Sequence, residues 1–157
     1  MLTQESIEML EEHGKASFVP EKAKLLARIA HRGQTRWNGD EYFTHPERVA
    51  KSFYMDGGSY EMAVAFLHDV VEDTDVTIHD LAIYFPYPVV DAVAAITKQK
   101  GKETYTEYIK RLLKNNIATR VKIADLEDNM SDLKPGNLKE KYMITHYLLT
   151  EKLRENG

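Results

Sequence analysis

A chain of 157 residues is long enough to bury one core, and its 43% apolar and 29% charged residues are the proportions of an ordinary globular domain. The net charge of −4 gives no bulk attraction to nucleic acid or to an anionic membrane, which leaves room only for a local basic pocket. The absence of cysteine excludes disulfides, thiol catalysis and zinc–thiolate sites and leaves the compartment undetermined. No run of about 18 apolar residues is present to span a bilayer. The acidic start, MLTQESIEMLEEHGK, lacks the apolar stretch of a signal peptide, so a cytoplasmic protein is expected.

In chain order, the first predicted helix covers 3–13, with Ile7, Met9 and Leu10 as its apolar side and Gly14 as its stop. Pro20 opens a second, which carries Leu25, Leu26, Ile29 and Ala30 at helical spacing and ends near Gly33. Asn38-Gly39 marks a turn. Thr44 is placed as N-cap and Pro46 in the first turn of a third helix, 46–54, with His45 at its mouth. Gly57-Gly58 breaks the chain before a central helix over 59–73. Thr77 and Asp80 have the spacing of a capping box for a helix over 78–85, and Pro88 starts the next, 88–97. After Gly101, the segment 105–115 is amphipathic through Tyr105, Tyr108, Ile109, Leu112 and Leu113. Asn115-Asn116 caps a helix over 117–131. Beyond Pro135-Gly136 a last helix, 138–153, carries Tyr142, Met143, Tyr147 and Leu148. No stretch alternates with period two for long enough to make a strand, and no repeat or linker divides the chain. The expectation is one all-α domain over 1–157, with seven to nine short helices.

The stretch AFLHDVVEDTD, 65–75, carries the chemistry. On a continuous helix, with His68 at zero, Asp69 falls at about 100°, Glu72 at about 40° and Asp73 at about 140°. Ala63, Phe66, Leu67, Val70 and Val71 take the remaining arc. A solvated face would mix in basic partners, yet no Lys or Arg occurs from Glu61 to Asp80. Three carboxylates this close repel one another unless a cation sits among them. His45, at a helix start, and Asp125, inside the apolar run of VKIADLEDNM, extend the set. A buried carboxylate without a partner is costly, so Asp125 is hard to explain as structure alone. Two imidazoles and two carboxylates suit one divalent ion such as Mn²⁺, Fe²⁺ or Zn²⁺, with positions open for water.

The order, spacing and flanks of these residues resemble the HD-superfamily metal-dependent phosphohydrolases. The likeness is greatest to the RelA/SpoT-type hydrolase domain and its small stand-alone relatives, which remove the 3′-pyrophosphate of (p)ppGpp. The matching stretches are HRGQTRWNGDEYFTHP (31–46), AFLHDVVEDTDVT (65–77), ITK (96–98) and VKIADLEDNM (121–130). The resemblance implies an all-helical HD domain that binds Mn²⁺ through His45, His68, Asp69 and Asp125. It implies that Glu72 and Asp73 activate water and handle protons, that Asn129 lies near the nucleotide and that Arg36 belongs to its pocket. Lys98 and Lys122, from the matching segments, are further candidates to steady phosphate oxygens.

The sequence also departs from the family's pattern. Trp37 stands where a Lys usually follows the Arg; its indole can stack on a base but supplies no charge. The usual ADRLHNM reads ADLEDNM, so Leu126, Glu127 and Asp128 replace Arg, Leu and His, and Asp132 replaces a common Thr. These changes are expected to make the nucleotide side more acidic and so to weaken the case for a highly phosphorylated substrate. The leading expectation is hydrolysis of (p)ppGpp at its 3′-pyrophosphate, one-way because no synthetase segment follows Gly157. The partner is then a small-molecule nucleotide, with no nucleic acid and no membrane. The alternatives are another phosphorylated nucleotide, such as NADPH cut at its 2′-phosphate, or a nucleotide-binding sensor with a vestigial site.

Several of these residues also have plain structural readings. His68-Asp69 and Glu72-Asp73 are able to serve as a solvated helix face, and His45 as a turn residue. Asn129 is able to cap a helix C-terminus, and Trp37 is read as a packing residue. Tyr105 and Tyr108 are expected in the core or a pocket wall. His13, His31, His79 and His146 are read as surface or satisfied core histidines, and the basic residues of 110–122 as a solvated face.

Overall fold

Ten helices make up the architecture of the computed structural model, which describes residues 1–13, 19–55 and 59–157. They are α1 (Gln4–His13), α2 (Val19–Ala30), α3 (Thr44–Lys51), α4 (Ser59–Leu67), α5 (Val70–Asp73), α6 (Ile78–Tyr84), α7 (Tyr87–Ile96), α8 (Tyr105–Leu112), α9 (Asn116–Asp132) and α10 (Asn137–Asn156). The chain is all-α, as expected of an HD bundle; among the described residues the one β feature is an isolated antiparallel bridge, Thr35 to Glu41. Gly14, Gly57 and Gly58, expected as breakers, lie outside the described residues.

Helix α4 is the hub. Its sequence is apolar all round, which is the pattern of a helix enclosed by others. Ala63, Val64, Ala65, Phe66 and Leu67 are all buried. Around it pack α2, α3, α7 and α9. They present Ala23, Leu26 and Ala27, then Val49 and Ala50, then Ala92 and Val93, then Ala118, Val121 and Leu126. Small residues on α2 and α4 let their backbones approach closely. The Phe43 ring, just before α3, stacks on Phe66 at 6.2 Å. The hub thus fixes the start of α3, the end of α4 and the middle of α9 relative to one another, and the candidate site is built from those places.

Several local expectations correspond to observed devices. Thr77 and Asp80 form the capping box of α6, with bonds of 3.1 and 2.9 Å. Asn115 caps α9 by accepting from the Ala118 amide at 2.9 Å. Gly39 and Gly101 take positive φ, 92° and 77°, where a side chain would be strained. Two expectations are corrected. Thr44 is not the N-cap: it is the first residue of α3, and its hydroxyl turns back to donate to the Glu41 carbonyl at 2.8 Å. The central helix is not continuous. It breaks at His68-Asp69, between α4 and α5, where His68 Nδ1 donates to the Ala65 carbonyl at 2.6 Å in competition with the backbone ladder.

Arg111 shows how a distant residue shapes the site. Its guanidinium donates to the carbonyls of Ala94 (2.9 Å), Ala95 (3.3 Å) and Thr97 (2.8 Å), the last of α7 and its exit, which have no helical donor. It also pairs with Glu103 at 2.7 Å. The loop so anchored delivers the Lys98 amide to Glu72 Oε1 at 3.1 Å. Arg111 is therefore structural rather than part of a solvated face. Arg111→Ala is expected to lower the unfolding free energy by about 2 kcal/mol, read from the urea midpoint, because it strands part-buried carbonyls. No helix among the described residues is long and apolar enough to cross a membrane.

Candidate metal centre and active site

Four side chains from three places in the chain converge. His45 is the second residue of α3, His68 and Asp69 occupy the α4–α5 break, and Asp125 lies mid-way along α9. One ligand atom from each falls within 4.8 Å of the others. His45 Nε2 is 2.9 Å from Asp125 Oδ1, 3.7 Å from Asp69 Oδ2 and 3.2 Å from His68 Nε2. His68 Nε2 is 3.1 Å from Asp69 Oδ2 and 3.2 Å from Asp125 Oδ1. The break at His68-Asp69 takes these two residues out of the regular helical register, so their convergence is a product of the kink and not of a shared helix face.

Both imidazoles turn Nε2 inward and have Nδ1 engaged on the outer side. His68 Nδ1 uses the Ala65 carbonyl; His45 Nδ1 meets Asp128 Oδ2 at 2.6 Å. The carboxylates are held too. Tyr42 donates its hydroxyl to Asp69 Oδ2 at 2.5 Å. Asp125 accepts from Lys122 Nζ at 2.8 Å and from Asn129 Nδ2 at 3.0 Å. Such outer partners orient ligands and tune their basicity.

The electrostatics call for positive charge at the centre. Burial opposes charging of His68, yet Asp69 and Asp125 lift its pKa well above the usual histidine value. Burial likewise opposes ionisation of Asp125, but Lys122 and the imidazoles hold it well below the usual carboxylate range, and His68 does the same for Asp69. Two buried carboxylates with two inward imidazole nitrogens are a nitrogen–oxygen donor set that a divalent ion fits.

Glu72 opens onto a cavity of about 280 Å³ lined by His68, Asp69, Lys98, Lys122, Lys141 and Tyr142, among others. Burial first, and then the Asp69 charge, raise the pKa of Glu72. Asp73 does not line this cavity but is exposed on a neighbouring pocket with Gln34 and Asp75, and its pKa is raised for the same two reasons. Lys122 reaches the centre directly, whereas Lys98 is bound to the site through its backbone amide. On the other side, Arg36 Nη2 donates to Asn129 Oδ1 at 3.2 Å, and Arg36 Nε is buried without a hydrogen-bond partner. Asn129 therefore links Arg36 to Asp125 from within α9 and is not a C-cap. Trp37 is 69% exposed, which overturns its reading as a packing residue. His31 is buried, its Nδ1 on Gln34 Oε1 at 2.9 Å and its ring 4.8 Å from that of Tyr42.

The acidic departures are dispersed rather than aimed at the cavity. Leu126 is in the core, and Glu127 pairs outward with His146 at 2.8 Å. Asp128 is engaged by His45 and Arg48, and Asp132 is exposed. The expected acidic shift of the pocket is correspondingly reduced. Two residues with clear contacts to the candidate ligands, Tyr42 and Asp128, are not singled out as site residues by the sequence. The only signal for Tyr42 is its place three residues before His45; Asp128 is visible only as a departure from the motif.

No protein-family model matches the chain. Sequence relatives are found nonetheless. It is 33% identical over 123 residues to the bifunctional (p)ppGpp synthase/hydrolase SpoT of Escherichia coli, a match covering 71% of this chain and 18% of that protein. It is 34% identical over 120 residues to a guanosine-3′,5′-bis(diphosphate) 3′-pyrophosphohydrolase of Vibrio cholerae, covering 69% of this chain and 17% of that one. The matched region is thus under a fifth of the length of these curated relatives. In fold, it resembles a solved structure described as a metazoan ortholog of SpoT that hydrolyzes ppGpp, with a TM-score of 0.68 and 23% identity, covering 98% of this chain and 88% of that one. The chain is an all-α domain with the fold of that solved SpoT ortholog, and it is similar in sequence to part of the SpoT-type (p)ppGpp hydrolases.

Proposed function

We propose that residues 1–157 form one phosphohydrolase domain that uses a divalent ion, Mn²⁺ in first place, to remove the 3′-pyrophosphate of (p)ppGpp. The observation that carries this reading is the closure of His45, His68, Asp69 and Asp125 around one point, beside Glu72 and a lysine-lined cavity. The names of the sequence relatives supply the substrate.

In the reaction an oxygen of water bonds to the phosphorus attached at the 3′ oxygen, and the bond from that phosphorus to the ribose oxygen breaks. Pyrophosphate leaves, and the nucleotide keeps its 3′ oxygen as a hydroxyl once a proton is returned to it. His45, His68, Asp69 and Asp125 would hold a divalent ion, which when bound would supply Lewis acidity to water and to a phosphoryl oxygen. Glu72, with its raised pKa, takes the water's proton as general base. Asp73, next in sequence and exposed, relays that proton towards solvent. Lys98 and Arg36 hold phosphate oxygens as charge develops there, while Lys122 keeps Asp125 anionic and in place. The exposed Trp37 indole offers a face to the base.

The test is a panel of ppGpp, pppGpp, GTP and NADPH with purified protein, with Mn²⁺ or with chelator. The reading predicts GDP from ppGpp only when metal is present. Release of phosphate from NADPH with ppGpp untouched would replace it by the alternative nucleotide. Metal-independent binding without turnover would favour the sensor.

A further inference from the structure

His45 and His68 face the same centre, but their outer nitrogens are held differently. For His68 the acceptor is a backbone carbonyl, Ala65, at 2.6 Å. For His45 it is a carboxylate, Asp128 Oδ2, also at 2.6 Å. The Asp128 side chain is 12% exposed and is itself gripped by Arg48, with Nε on Oδ1 at 2.7 Å and Nη2 on Oδ2 at 3.1 Å. The four residues interlock as two i,i+3 pairs, His45 with Arg48 on α3 and Asp125 with Asp128 on α9. Asp125 meets the inner edge of the imidazole and Asp128 the outer edge, so one face of α9 clasps the ring from both sides.

We infer that Asp128 is a positioning residue for the metal ligand His45. By accepting the Nδ1 proton it sets the tautomer that leaves Nε2 free to donate to an ion, and Arg48 holds the carboxylate in place for that task. A carboxylate behind the ring also raises the basicity of the ligating nitrogen. The inference rests on the metal reading above. It is opposed by a simpler one, in which Asp128 and Arg48 merely fasten α3 to α9.

The experiment is titration of the whole chain with Mn²⁺, by calorimetry and by chelator competition, alongside thermal melts with and without metal. Asp128→Ala is expected to raise the Mn²⁺ dissociation constant about 10- to 100-fold, the usual cost of losing such a partner. Asp128→Asn, which keeps an acceptor but loses the charge, should fall between it and the unaltered chain. It also serves as the readout should the alanine variant fold poorly. Arg48→Ala removes the ion pair but leaves the carboxylate, and should weaken metal binding less than Asp128→Ala. The gain in melting temperature on adding Mn²⁺ should shrink in the order of the affinities. Unchanged Mn²⁺ affinity in both Asp128 variants, with equal destabilisation in the presence and absence of metal, would overturn the inference and leave the metal reading intact. Equal losses in Arg48→Ala and Asp128→Ala would overturn it in favour of the fastening role. Failure of the unaltered chain to bind Mn²⁺ would remove both readings.

Discussion

Asp125→Ala is expected to abolish Mn²⁺ binding and turnover together, and to destabilise the metal-free protein by about 3–5 kcal/mol. The first effect follows from geometry, since Asp125 Oδ1 is the atom that both inward imidazole nitrogens approach, at 2.9 and 3.2 Å. The second follows from Lys122, whose ammonium is 2.8 Å from Asp125 Oδ2 and is largely buried. Removing the carboxylate leaves that charge without its partner, and also takes one partner from Asn129 and from the inner nitrogen of each histidine. Breaking a buried pair from one side costs far more than the pair contributes net, because a charge remains behind. Asp125→Asn keeps the volume and an acceptor while removing the charge, and should lose metal binding with a smaller loss of stability. Urea denaturation under chelator and a Mn²⁺ titration read the two effects separately. Retained Mn²⁺ affinity in Asp125→Ala would contradict the ligand assignment.

Glu72→Gln is expected to reduce kcat by about 10²- to 10⁴-fold while leaving Mn²⁺ affinity close to that of the unaltered chain. The amide keeps the shape of the side chain and can still accept from the Lys98 amide, but it cannot take a proton from water. Because burial, and then Asp69, disfavour its charge, Glu72 is protonated at a higher pH than an ordinary glutamate. The rate should therefore fall on the acid side as pH drops through that raised value, and Glu72→Gln should flatten this limb. Asp73→Asn, at an exposed residue outside the lining of the Glu72 cavity, should cost less than Glu72→Gln. A rate within a few-fold of the unaltered chain in Glu72→Gln would move the base elsewhere.

Most helices were legible because each carries its own local code: the Thr77/Asp80 box, the Asn115 cap, Pro88 in the first turn of α7, and Gly101 at positive φ. The residues that converge at the candidate metal centre were legible for a different reason. Across 61–80 the three carboxylates beside His68 have no Lys or Arg near them in sequence, which is unfavourable unless something cationic joins them. What escaped the sequence was set by tertiary contact. The α4–α5 break depends on a side chain capturing a carbonyl of its own helix, a competition that helical periodicity does not register. Asp128 meets His45 only because α3 and α9 are packed together, so its substitution read as an added negative charge rather than as a partner. Arg111 sat among basic residues that looked solvated, and only the exit of α7 reveals what it holds. Trp37 reads as a packing residue because large aromatic rings are mostly buried, yet in the turn around Gly39 it lies in solvent.

The most direct measurement of the proposed chemistry is hydrolysis of ppGpp in ¹⁸O-water with Mn²⁺, the products resolved by ion exchange and mass spectrometry. The account predicts GDP without label and pyrophosphate carrying one ¹⁸O, because water attacks phosphorus and the 3′ oxygen stays with the ribose. Label in the nucleotide, release of orthophosphate alone, or ppGpp left intact by metal-loaded protein would contradict it.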